Sequence, residues 1–327
     1  MLTNLITPLG GAARQVSISH LGDLERQIGK LRKQHLLAED FNLEEYAGFN
    51  FHPPNETFEA RSLILLAYPH YPTRFRFIYK GMEKSYLVPP TYLHGRESDQ
   101  RISEPIAAYL KQQGLHLERA IIPTKLAAAC AGLAEYGKNN IVYAKDMGSF
   151  VRLAAYFSDL PAEEDYWREP VSMQRCEGCR ACLNACPTHA IDTDRFLLHA
   201  ERCITFWNEK PPEVAFPAWL KPEWHACLVG CMLCQFICPE NIPYVNLAND
   251  GPAFSEEETD WLISGRPLDD LPLPLRDKLS ASGLADYYDP RNFRILIDKT
   301  CSPPGRRAIP VSARQGRPPR GVFHSRR

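Results

Sequence analysis

Two dense cysteine runs between Cys176 and Cys238 restrict this chain more than any other feature. The first reads Cys176-Glu-Gly-Cys179-Arg-Ala-Cys182-Leu-Asn-Ala-Cys186-Pro187, and the second reads Cys231-Met-Leu-Cys234-Gln-Phe-Ile-Cys238-Pro239. Cys203 stands alone between them, and Cys227 lies just ahead of the second run. The first run has the C-x2-C-x2-C-x3-C-P spacing that holds [4Fe–4S] cubes. In such a loop three thiolates wrap one cube, while the cysteine before proline is carried away to the other. Cys176, Cys179 and Cys182 therefore pair with the distant Cys238 as cluster 1. Cys186 joins Cys231 and Cys234 in cluster 2. That second set is one ligand short, and Cys203 and Cys227 compete for the place.

Zinc is the competing use of such cysteines, because zinc ribbons also employ paired C-x2-C units. A ribbon does not call for a third cysteine in the run, nor for the C-P step, which occurs here twice. His189 and His225 lie close by, but the thiolate count leaves them no role as ligands. Cys130 sits on an apolar helical face and reads as a core residue. Cys301 reads as incidental.

Eleven cysteines in 327 residues, seven of them in two tight runs, argue for metal binding over disulfides. Reduced thiolates require a reducing compartment, which points to the cytoplasm. The first thirteen residues lack a basic start and do not read as a signal peptide. No window approaches the roughly 18–20 apolar residues of a membrane helix. A formal charge of −1 gives the whole molecule no electrostatic bias toward nucleic acid or membrane.

Upstream, helical and strand-like segments alternate. Leu21, Leu24, Ile28 and Leu31 share one helical face over residues 18–37. Arg61–Tyr68 reads as a strand buried on both faces. Residues 69–92 read as loop with a piece of strand. A helix is expected over 103–113, a strand over 115–122, and a helix from Thr124, its N-cap, to a C′ residue at Gly137. Further strands are expected at 141–143 and 150–157. Beyond the cysteines, Ser255 is placed to cap a helix through Ile263, and Leu275–Ser282 suggests another. Residues 302–327 contain no acid and spread seven arginines among Pro, Gly and Ser, a disordered composition.

Cys176–Cys186, the solitary Cys203, and Gly230-Cys231-Met-Leu-Cys234-Gln-Phe-Ile-Cys238-Pro239 resemble the double-cluster region of the epoxyqueuosine reductases. Gly132-Leu-Ala-Glu-Tyr-Gly137-Lys138-Asn139, followed by Gly148-Ser149-Phe150, is similar to that family's G-L-x-x-x-G-K-N and G-S segment. The resemblance covers residues 115–240 or so. It implies that the solitary cysteine belongs to the second cluster, so that Cys203 completes the set and Cys227 is spare. It also implies an α/β domain that binds cobalamin, clusters that reduce it, and removal of an epoxide oxygen from a modified tRNA base. Similar architecture occurs in reductive dehalogenases. Lys138, Asn139 and Ser149 become candidate cofactor-binding residues, with a polar turn after a helix cap as their bland alternative. Tyr68 and Tyr92 are further candidates for that pocket, although both suit a core or surface place.

The chain departs from the family where a D-x-x-P stretch would carry the catalytic acid. Ala120-Ile-Ile-Pro123 stands there instead, with His116, Glu118 and Arg119 as the nearby ionisable groups. Glu118 is the substitute proton donor if burial raises its pKa. The family's C-terminal helical-repeat module is replaced by ordinary sequence and the arginine-rich tail. These departures mark a divergent branch.

The expected fold is an α/β N-terminal domain (1–160), an α-rich ferredoxin-like double [4Fe–4S] domain (161–245), a helical satellite (246–300) and a disordered basic tail (301–327), α+β overall. The expected activity is an iron–sulfur reductase fed by a low-potential electron donor, with cobalamin as second cofactor, tRNA as partner and no membrane association. The alternative is an electron-transfer protein without substrate chemistry.

Overall fold

The computed structural model describes residues 1–37, 48–53 and 57–298. The basic tail and Cys301 lie outside the described residues. The chain begins with α1 (Leu2–Ile6), β1 (Ala12–Ser17) and α2 (Leu21–Lys33). Three strands follow, β2 (Ser62–Pro69), β3 (Thr73–Tyr79) and β4 (Met82–Val88), then α3 (Gly95–Gln112), β5 (Leu117–Arg119) and α4 (Thr124–Cys130). Strands β6 (Ala134–Tyr136), β7 (Val142–Ala144) and β8 (Val151–Ser158) complete the N-terminal part. The cysteine-rich stretch contains the short helices α5 (Ala181–Ala185), α6 (Ile204–Asn208) and α7 (Leu233–Phe236). Strand β9 (Asn249–Phe254) and helices α8 (Glu256–Ile263), α9 (Leu273–Ala281) and α10 (Pro290–Ile297) close the described chain.

Strand β2 organises the main sheet, whose order is β1-β2-β8-β5. Its side chains alternate between two cores, as a strand's period of two requires. Leu63, Leu65 and Ala67 pack with Leu21 and Leu24 of α2 and with Leu126–Cys130 of α4. Ile64, Leu66 and Tyr68 pack with Leu2 and Ile6 of α1 and with Ile102, Ile106 and Leu110 of α3. Helices thus cover both faces, which is why the strand reads as an unbroken apolar run. Every pairing in this sheet is antiparallel. Strand and helix alternate in sequence here without building a parallel sheet.

Several boundaries differ from the sequence reading. Within residues 69–92, read as loop with a piece of strand, residues 73–88 form a regular two-stranded hairpin turning at Lys80-Gly81, both with positive φ (52° and 70°). Such a two-residue turn matches the twist of the strands it joins. Helix α3 begins at Gly95 rather than Ser103, and tolerates Pro105 inside it. Thr124 is the first helical residue of α4 rather than its cap, and the helix stops at Cys130 with Gly132 in the left-handed region. Gly137 therefore caps no helix.

The expected helical satellite is not set apart. Its strand β9 pairs in parallel with β3, bringing Phe254 opposite Phe77. Phe77 stacks on Phe254 at 5.0 Å and meets Phe293 of α10 edge-on at 6.0 Å. The hairpin of the N-terminal part and the last helices thus share one core with Leu262, Leu279 and Leu296. Burial of these aromatics, not sequence proximity, decides the grouping. Ser255 accepts the Glu258 N–H while Glu258 accepts the Ser255 N–H, a reciprocal cap at the start of α8. Ser255→Ala is expected to lower stability by about 1 kcal/mol, read as a shifted urea midpoint. No helix among the described residues is long and apolar enough to cross a membrane.

Candidate metal centres and the adjoining cleft

The cysteine stretch is tied to the N-terminal part at two places. Tyr136 of β6 exchanges backbone hydrogen bonds with Val171 and Met173 just before the first run. Cys227 bridges to Leu87 of β4 just before the second. Between these anchors, short helices turn the cysteines inward.

Cys176, Cys179, Cys182 and Cys238 line one small cavity together with Gly137, Lys138, Asn139 and Tyr143. Cys186, Cys203, Cys231 and Cys234 line a second, and Asn139 borders both. Local geometry explains the exchange of Cys186 and Cys238. Each follows the last turn of its own helix, α5 or α7, and precedes a proline. The helix carries it off the loop that holds its neighbours. Cys203 reaches the second cavity because it sits immediately before α6. At the other end of α6, the Asn208 amide accepts from the Gly230 N–H at 2.9 Å and donates to its carbonyl at 2.8 Å. Gly230 has φ +69°, and a Cβ there would lie 2.6 Å from the Tyr92 hydroxyl. That clamp sets the start of the second run.

Cys227 lines neither cavity. It is buried beside Phe150 and Met232. His189 and His225 line neither cavity, and His225 meets Phe216 edge-on at 5.2 Å.

Among the described residues no three Cys, His, Asp or Glu side chains converge on one point suited to a single ion. The four cysteines of each set instead line a common cavity. An all-cysteine donor set suits either zinc or a [4Fe–4S] group, and the C-x2-C-x2-C-x3-C-P spacing of the first run favours the cluster. Burial pushes the Cys182 thiol up to about 11 and Cys231 up to about 12, and drives Cys234 well above its ordinary value. Positive charge from bound iron is what holds such thiols as thiolates. Lys138 assists at the rim: its N–H donates to Cys176 Sγ at 3.4 Å and its Nζ to the Cys179 carbonyl at 3.4 Å. Asn139 is buried and donates to the Tyr143 hydroxyl at 3.0 Å and to the Cys234 carbonyl at 3.4 Å.

A larger cleft of about 460 Å³ adjoins the second set. Its walls are mainly apolar, from Pro89, Pro90, Ile121, Ile122 and the β8 residues Val151–Ala155. Gln235, the residue after Cys234, lines it beside Ser149. Ser149 Oγ donates to Gln235 Oε1 at 3.0 Å, and Asn241 binds the Ser149 N–H and hydroxyl at 2.8 and 2.7 Å. One helix, α7, thus presents Cys234 to the cysteine cavity and Gln235 to the cleft.

The far wall is charged. Asp99 of α3 is buried, and Arg152 of β8 grips it through Nε and Nη2, both at 2.7 Å. Arg119 Nη2 meets the same carboxylate at 2.7 Å, and the Tyr68 hydroxyl donates to it at 2.6 Å. Gly95 leaves room for this arrangement, since a Cβ there would come within 2.6 Å of the Arg152 guanidinium. His70 also lines the cleft, and burial, with Arg152 nearby, lowers its pKa to about 4. The unfolded chain takes up that proton near pH 6.5, while the folded one refuses it until about pH 4. Stability attributable to His70 is therefore complete above pH 6.5 and falls as pH drops toward 4. His70→Gln is expected to reduce the loss of urea resistance between pH 7 and pH 5, measured against the parent chain.

Five sequence candidates, Lys138, Asn139, Glu118, Tyr68 and Tyr92, do not line the cleft. Lys138 and Asn139 border the cysteine cavities rather than the cleft; of the three cofactor candidates, Ser149 alone faces the cleft. Glu118 lies outside it, exposed on edge strand β5 and hydrogen-bonded to Thr57 at 3.3 Å. Alternation along β5 turns its neighbour Arg119 to the cleft instead. Tyr68 holds Asp99 from the core, and Tyr92 bonds to Glu209; neither lines the cleft. Sequence reading missed Asp99, Arg152, His70 and Gln235. They come from four separate elements or loops, and no local spacing signals them.

The family described as "4Fe-4S double cluster binding domain" matches residues 175–241. An epoxyqueuosine reductase of Cyclobacterium marinum is 29% identical over 193 residues, 59% of this chain and 56% of that protein. The chain thus spans about half the length of the curated relatives it matches. The structure of epoxyqueuosine reductase from Streptococcus thermophilus superimposes with a TM-score of 0.62 at 16% identity, covering 90% of this chain and 78% of that one. A crystal structure of an epoxyqueuosine reductase with an epoxyqueuosine-modified tRNA stem loop gives 0.58 at 18% identity, with the same coverage of 90% and 78%. At these identities the solved structures show a shared fold. Residues 175–241 thus match a 4Fe-4S double cluster binding domain, and the chain as a whole is similar in sequence to epoxyqueuosine reductases and shares the fold of their solved structures.

Proposed function

We propose that this chain is an iron–sulfur reductase that passes electrons from a low-potential donor through two [4Fe–4S] clusters to a reductive site in the cleft. Cys176, Cys179, Cys182 and Cys238 hold cluster 1; Cys186, Cys203, Cys231 and Cys234 hold cluster 2. The clusters supply one-electron transfer at low potential. The protein works in the reducing cytoplasm, where its thiolates stay available.

The observation that carries this reading is the shared wall. Cys234 borders the second cysteine cavity and Gln235, next in the chain, borders the cleft. Lys138 and Asn139 donate hydrogen bonds around the cysteines, and such bonds tune a cluster's potential. Ser149 and Asn241 hold Gln235 in place at the boundary. Cobalamin is the group we assign to the cleft. Its apolar walls with a few converging polar groups have the character of a small-molecule site and suit the rim of a macrocycle. The substrate we assign is an epoxyqueuosine-bearing tRNA, because a relative of the same fold is known with such a stem loop.

The test is anaerobic reconstitution with iron and sulfide, then incubation with cobalamin, a low-potential reductant and epoxyqueuosine-containing tRNA. Formation of queuosine supports the assignment, and its absence removes the tRNA role. A second reading, an electron carrier without substrate chemistry, is favoured by Ala120 where the family's acid would stand. Cobalamin retained through gel filtration speaks for the reductase. Reversible reduction without cobalamin binding speaks for the carrier.

A further inference from the structure

The cleft differs from an acid-catalysed site in the sign of its charge. Arg119, Lys125 and Arg152 all line it, and no Asp or Glu is among its lining residues. Asp99 lies behind the wall and balances one of these three cations. Two positive charges therefore remain uncompensated by that carboxylate. The arrangement is pre-organised. Arg152 is fixed by two hydrogen bonds to a buried carboxylate, and Tyr68 fixes the carboxylate in turn. Arg119 shares that carboxylate from the adjacent edge strand, while its side chain stays about half exposed (47%). Its half-exposed side chain also lines the cleft. Arg119 and Lys125 also flank Ala120–Pro123, the stretch that lacks an acid. His70 adds no further positive charge near neutral pH, because burial and the neighbouring arginine keep it neutral.

We infer that the Arg119–Lys125–Arg152 wall is an oxyanion subsite that holds a phosphate of the substrate. Guanidinium groups bind phosphate in a forked, directional way, and a partly desolvated cleft strengthens the attraction. The apolar walls accept the base and the charged wall accepts the phosphate next to it. Asp99 acts as a positioning residue, since it touches the arginines and not the ligand. This inference rests on the reading of the cleft as the reductive site for a nucleotide substrate. A corrinoid with a nucleotide tail also carries a phosphate, so the two sources must be separated.

The experiment uses the reconstituted full chain, with guanosine 5′-monophosphate and guanosine as a pair differing only in the phosphate. Binding is followed by saturation-transfer NMR and calorimetry, at low and high salt. The monophosphate is expected to bind at least ten-fold more tightly than the nucleoside, with the difference shrinking in salt. Arg119→Gln and Lys125→Gln, both at exposed positions, are expected to remove most of that difference while leaving the circular-dichroism melt unchanged. Equal binding of the two ligands overturns the subsite, as does indifference to both substitutions. Cobalamin and cobinamide, which lacks the nucleotide phosphate, form the second arm. If the substitutions weaken cobalamin but not cobinamide, and cobalamin displaces the monophosphate, the wall belongs to the corrinoid and the substrate assignment falls. Phosphate-dependent binding in a protein that binds no corrinoid upholds the subsite and sinks the corrinoid part of the proposed function instead.

Discussion

Cys203→Ala is expected to cost the protein one whole cluster, about four of roughly eight irons per chain, while Cys227→Ala retains both. The two residues compete on paper because Cys227 lies nearer the second run. In the fold they occupy different environments. Cys203 opens onto the cavity shared with Cys186, Cys231 and Cys234. Cys227 is buried among Phe150 and Met232, with its backbone paired to Leu87. Iron and sulfide analysis of anaerobically reconstituted variants, with electron paramagnetic resonance of the reduced protein, reads the difference. Loss of equal iron from both variants would refute the assignment. Cys203→Ala should also loosen residues 175–241. The helices there are only four or five residues long, and helices that short do not hold themselves. Proteolysis is expected to enter this stretch first, leaving the β1-β2-β8-β5 sheet protected.

The second large effect is expected at Asp99. Replacing it with alanine leaves Arg152, whose side chain is only 18% exposed, without its carboxylate partner. Removing one member of a buried ion pair costs about 3–5 kcal/mol, because the other charge stays desolvated and unpaired. Tyr68 would lose its acceptor as well. Most of the loss comes from Arg152, since Arg119 can turn to water. Denaturant unfolding of Asp99→Ala should show this drop. The double variant Asp99→Ala/Arg152→Met should recover part of it by removing the stranded charge. A loss below about 1 kcal/mol in the single variant would mean that the pair behaves as a surface salt bridge.

Much of the metal chemistry is legible in the sequence because ligand spacing is a local property. A C-x2-C-x2-C loop and a C-P step state their geometry within a dozen residues. The same holds for Ser255 and Glu258, which cap a helix three residues apart, and for β2, whose apolar run announces burial on both faces. Secondary structure was least legible at the β3–β4 hairpin. Its turn is Lys80-Gly81 rather than a stronger turn pair, and aromatic and basic residues mask its alternation. Glu118 was misread because a three-residue edge strand carries no pattern from which to tell its faces. The pairing of β5 with β8 settles them.

What the amino-acid order signals by itself is therefore the cargo: two cysteine runs whose last members each follow a helix and precede a proline, the arrangement expected to exchange them between two clusters. What only the tertiary structure decided is the surroundings. The core that joins Phe77 to Phe254 and Phe293 brings together residues far apart in the chain, through burial alone. The cleft wall does the same with Asp99, Arg119 and Arg152, drawn from a helix and two strands. Spacing rules act over a few bonds, whereas desolvation and charge pairing act on whatever the fold brings within a few ångströms. The first can be read along the chain; the second exists only once the chain has folded.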